Sequence, residues 1–83
     1  MDLLVFVETE IQECVDRLRR LDFQLQVDTT YVGSPEADPN DLQFFRCQVD
    51  LGTLEKQYLE QRLVLLRQMA SDPKLRRVGK SRA

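Results

Sequence analysis

At 83 residues the chain has the length of one domain, too short to enclose a large core and in the range where self-association or a partner commonly adds stability. Twelve basic and fourteen acidic residues give a net charge of −2, and a 42% hydrophobic content with three glycines and three prolines excludes a disordered composition. The absence of histidine excludes Ser/His/Asp and Cys/His catalytic arrangements, and no apolar run approaches the length of a membrane span.

The opening run, Leu3 to Val7, is continuous, apolar and rich in β-formers, and predicts a strand at about 2–7. Thr9, with Gln12 three residues on, fits a capping box and hence a helix start. Ile11, Cys14, Val15, Leu18 and Leu21 then mark the apolar stripe of a helix over about 9–21. Glu10 and Glu13 sit in its first turn and Arg19 and Arg20 in its last, which suits the helix dipole. A competing pattern crosses the same region. Leu4, Val7, Ile11, Cys14, Leu18, Leu21 and Leu25 alternate spacings of three and four, the signature of one long helical seam.

From Leu21 the period becomes two. Leu21, Phe23, Leu25 and Val27 alternate with polar residues and lead into Thr29 to Val32, predicting a strand at about 22–32. Gly33 to Asp41, with Pro35 and Pro39, is the strongest loop signal. Phe45, Cys47, Val49 and Leu51 alternate in turn with Arg46, Gln48 and Asp50, predicting a second strand at about 43–51. Read as a helix, that segment carries Leu42, Phe45 and Val49 on one face and Phe44, Cys47 and Leu51 on the opposite one. A surface helix needs only one apolar stripe, so the strand is preferred. Antiparallel pairing would set Val27 beside Cys47, Leu25 beside Val49 and Phe23 beside Leu51, with Asp28 opposite Arg46. Gly52 and Thr53 end the strand and open a helix, with Thr53 as its cap, running to about Ala70. Ser71-Asp72-Pro73 stops it.

The predicted fold is α+β: a small (β)-α-β-β-α domain with an antiparallel hairpin and both helices on one face of the sheet. The alternative is an all-α antiparallel helical hairpin, with Asp38-Pro39 opening the second helix. Residues 1–72 are expected to form the compact domain and 73–83 a basic, flexible tail. The last ten residues carry five basic groups and no acid, leaving 7 basic against 14 acidic residues in the body.

No chemistry emerges from the motifs. Cys14 and Cys47 both fall at apolar-face positions and read as reduced, buried thiols. Glu36, Asp38, Asn40 and Asp41 lack the spacing and the turn glycine of a calcium loop. Two cysteines without CxxC spacing do not make a zinc site, and Gly33, Gly52 and Gly79 stand too far apart for a phosphate loop. No catalytic residue, metal or cofactor is expected. The late helix carries more apolar residues than one stripe requires, which predicts a protein-protein interaction module. Its role would be that of a small adaptor, regulator or assembly factor that self-associates or binds a larger protein. Tyr58, Leu59, Leu63, Val64 and Leu66 are its candidate partner-binding residues. The alternative is a nucleic-acid-binding accessory protein acting through Lys74, Arg76, Arg77, Lys80 and Arg82. Without a signal sequence or a span, a cytoplasmic protein is expected.

Overall fold

The structure, a computed structural model, describes residues 2–74. Two long helices account for nearly all of it: α1, Leu3–Val32, and α2, Pro39–Ala70. The chain turns back between Gly33 and Asp38, so the helices lie antiparallel and touch along their length. The molecule is a rod, 61 Å long and 15 Å across, with a radius of gyration of 18.6 Å. A compact domain of this length would have a radius of about 12 Å.

Both helices begin and end where local chemistry dictates. The Asp2 carboxylate accepts the Leu4 N–H at 2.9 Å and caps α1. No glycine or proline interrupts residues 3–32; Gly33, the first one met, is the C-cap. Asp38 caps α2 by accepting the Asn40 N–H at 2.9 Å, and Pro39 takes the first helical position, where its missing N–H costs nothing. Tyr31 ties the turn: its hydroxyl accepts the Asp38 N–H, and its ring packs 4.5 Å from that of Phe45. Ser71 closes α2 ahead of Pro73.

These findings overturn the α+β expectation, since no strand occurs among the described residues. The segments 2–7, 22–32 and 43–51 are all helical, and no sheet pairs Val27 with Cys47 or Leu25 with Val49. The fold is the alternative all-α antiparallel hairpin, opened at Asp38-Pro39 as that reading requires. The reason lies in the spacings. A separation of four residues satisfies both a period of two and a helical turn. Leu21 and Leu25, or Phe45 and Val49, therefore fit either structure. The residues that distinguish the two are Phe23, Val27, Cys47 and Leu51, and all four are exposed. The two threonine caps fail for a related reason. The Thr9 hydroxyl donates to the Val5 carbonyl at 2.9 Å and that of Thr53 to the Val49 carbonyl at 2.8 Å, so both are satisfied inside continuous helices. Gly52 accordingly lies within α2 rather than before it.

One seam holds the hairpin together. Val7, Cys14, Leu59 and Leu66 are its buried apolar side chains, and Ile11, Leu18, Leu21, Leu63 and Ala70 pack against them. The Cys14 thiol donates to the Leu59 carbonyl at 3.2 Å. Towards the turn the seam narrows at Gly52, where a Cβ would stand 2.8 Å from Leu25 Cδ2. Asp28, only 2% exposed, is the buried polar residue of the seam, and its carboxylate accepts from Gln24 Nε2 at 3.0 Å. Three ion pairs cross between the helices: Glu10 with Arg62, Arg17 with Glu55, and Asp22 with Lys56.

Candidate functional site

The feature that the seam leaves over is a second apolar stripe on α2. Phe44, Cys47, Leu51, Leu54, Tyr58 and Leu65 repeat at three- and four-residue steps, with only Gln61 interrupting them, and Met69 extends the line. All of them are exposed, Leu54 to 64%. The first stripe of the same helix, which includes Gly52, Leu59, Leu63 and Leu66, faces α1, and Val49 lines a cleft with Thr29 and Val32 of α1. The two stripes are opposed because they are offset by about half a turn in a 3.6-residue helix.

Near the turn the outer stripe borders a groove of about 300 Å³ between the helices. Phe44, Cys47 and Leu51 form one wall, Leu21 and Leu25 the other, and Gly52 keeps the floor open. Phe44 is braced edge-on by Phe45, with ring centroids 5.5 Å apart.

The electrostatics of this face differ from those of the rest of the rod. Polar positions within and beside the stripe are mostly uncharged amides: Gln43, Gln48, Gln57, Gln61 and Gln68. Of the charges flanking it, Glu55 and Arg62 are each neutralised by a partner on α1, and Asp50 lies at the margin. The Arg62 guanidinium is pushed further towards its charged form, first by its hydrogen bond with Glu10 and then by one with Tyr58. By contrast, the outward face of α1 carries Glu13, Asp16, Arg19 and Arg20 in its middle turns, with apolar residues only towards its ends. On the side away from the groove, Lys56 is held above its ordinary pKa, first by its hydrogen bond with Asp22 and then by that carboxylate's charge.

The residues proposed from sequence divide between the two stripes. Leu59 and Leu66 are buried against α1 and Leu63 packs beside them, so the hairpin itself consumes these three. Tyr58 and Val64 are exposed, and Tyr58 belongs to the outer stripe. The residues not singled out, Phe44, Leu51, Leu54 and Leu65, had a signal in the sequence: the same alternation of three and four that marks the inner seam. Cys47 is exposed, contrary to the reading of both thiols as buried, because its position belongs to the outer stripe. Cys14 is buried. Of the proposed nucleic-acid contacts, Lys74 is exposed, while Arg76, Arg77, Lys80 and Arg82 lie outside the described residues.

Among the described residues, no three His, Cys, Asp or Glu side chains are grouped so as to hold a metal ion, and no helix is long and apolar enough to cross a membrane. Comparison with known proteins finds no match among family models, curated proteins or solved structures.

Proposed function

We propose that this chain is a protein-protein interaction module, a helical hairpin that presents the outer stripe of α2 to another helix. One observation carries the reading. α2 has a second line of large apolar side chains, Phe44 to Leu65, that is exposed and flanked mostly by glutamines and by charges already paired with α1. An interface core is depleted of charge and enriched in aromatic and apolar residues, and this face has both properties. A line repeating every three and four residues fits the side of another α-helix, knob against hole. Such a surface can dock and align a partner.

The test places a photoreactive side chain at Tyr58 and, as a control, at Arg19 on the outward face of α1, in the native cell. Protein adducts are expected from Tyr58 and not from Arg19. They should vanish when Leu51 and Leu54 are replaced by glutamate. No adduct from Tyr58, or one indifferent to those replacements, overturns the proposal.

A further inference from the structure

We infer that the molecule covering this stripe is a second copy of the chain, joined α2 to α2 about a two-fold axis, so that two hairpins form a four-helix layer with the two α2 helices in the middle and an α1 on each outer side. This rests on the reading of the stripe as a docking surface and names its occupant.

The stripe fits itself when two α2 helices run antiparallel. With the axis level with Lys56, Leu54 meets Tyr58 of the other copy, Leu51 meets Gln61, Cys47 meets Leu65, and Phe44 meets the Gln68–Met69 turn. Small faces large at Cys47 and Leu65, which lets the two rows interdigitate as a close-packed interior requires. A two-fold contact needs one patch complementary to itself, and this one is. A parallel arrangement would set Phe44 against Phe44 and Gln61 against Gln61, and would bring like helix ends together.

The area suffices. Covering the exposed stripe on both copies removes roughly 1,200 Å² from water, within the range of stable interfaces. The hairpin has little else to stabilise it. Among the described residues four apolar side chains are buried, both cysteines are free, and no metal-binding cluster occurs.

The experiment is sedimentation of the full chain at micromolar concentration, alongside Leu54→Glu, with helicity followed by circular dichroism. The wild type should sediment as a dimer and Leu54→Glu as a helical monomer. Cys47 should be labelled by a thiol reagent at least an order of magnitude more slowly in the wild type than in Leu54→Glu. Leu65→Cys then fixes the orientation. Mild oxidation should join Cys47 to the new cysteine across the axis, whereas two native Cys47 thiols, roughly 27 Å apart along antiparallel helices, should not join. A wild-type monomer, equal labelling rates, or ready Cys47–Cys47 crosslinking overturns the inference. If the chain is monomeric yet Tyr58 gives a stripe-dependent adduct with a different protein, self-pairing fails and the interaction module stands. If neither dimer nor adduct appears, both fail.

Discussion

Gly52 and Asp28 are the two residues that shape the seam near the turn. Glycine inside a helix costs about 1 kcal/mol relative to alanine, so its presence in α2 needs a packing reason. That reason is Leu25, whose Cδ2 would lie 2.8 Å from an added Cβ. Gly52→Ala should be nearly neutral, because the clashing atom is the free end of a half-buried side chain and the gain in helix propensity offsets its displacement. Gly52→Leu should cost about 2 kcal/mol, because the helices must part to admit it. Urea unfolding of the two variants checks the contrast; equal stability would show that the approach at Gly52 is slack. Asp28 is a polar residue in an otherwise apolar seam, and its carboxylate is satisfied within α1 by Gln24.

At the scale of the elements, the ion pairs align one helix on the other. Glu10–Arg62 and Arg17–Glu55 lie along the groove side and Asp22–Lys56 on the opposite side. Their groups are solvent-exposed in large part, so screening leaves each pair weak, and together they discriminate between registers more than they stabilise. Arg17→Glu should lower stability by roughly 0.5–1 kcal/mol, and adding Glu55→Arg should restore most of the loss. Thermal unfolding at low salt measures both variants, and a double variant no better than the single one would remove the pair from the account. Lys56 defines a pH window. Its raised pKa means that the pair with Asp22 contributes fully below the ordinary lysine pKa and is lost as pH rises through the folded value. An alkaline loss of stability should therefore be smaller in Lys56→Met than in the native chain.

The elements themselves were only partly legible. Ser71-Asp72-Pro73 ends α2 as the residues suggest, and Asp38-Pro39 opens it as only the alternative helical-hairpin reading had it, because caps and prolines act locally. The seam from Leu4 to Leu25 was visible as well. What misled was the interval of four shared by both periods at Leu21 and Leu25, and again at Phe45 and Val49. Exposed Phe23 and Val27 then imitated the inner row of a strand.

For the whole molecule, folding and association should be linked. If two marginal hairpins pair as inferred, they gain stability by mass action, so the midpoint of thermal unfolding should rise with protein concentration. Leu54→Glu should show a lower midpoint that does not depend on concentration. A concentration-independent midpoint in the wild type would separate the fold from any partner.

Residue order alone placed the end of α2 at Ser71-Asp72-Pro73, since that stop follows from local chemistry, but it favoured a start at Thr53 and offered Asp38-Pro39 only in the alternative reading. It also contained both stripes of α2. Which of them faces inward was settled only by the tertiary structure. Leu59, Leu63 and Leu66 meet α1 and are taken into the seam, whereas Phe44, Leu51, Leu54 and Leu65 stay exposed on the outer side of α2. A spacing pattern states that residues share a face; only the packing of one helix against another decides which face is spent.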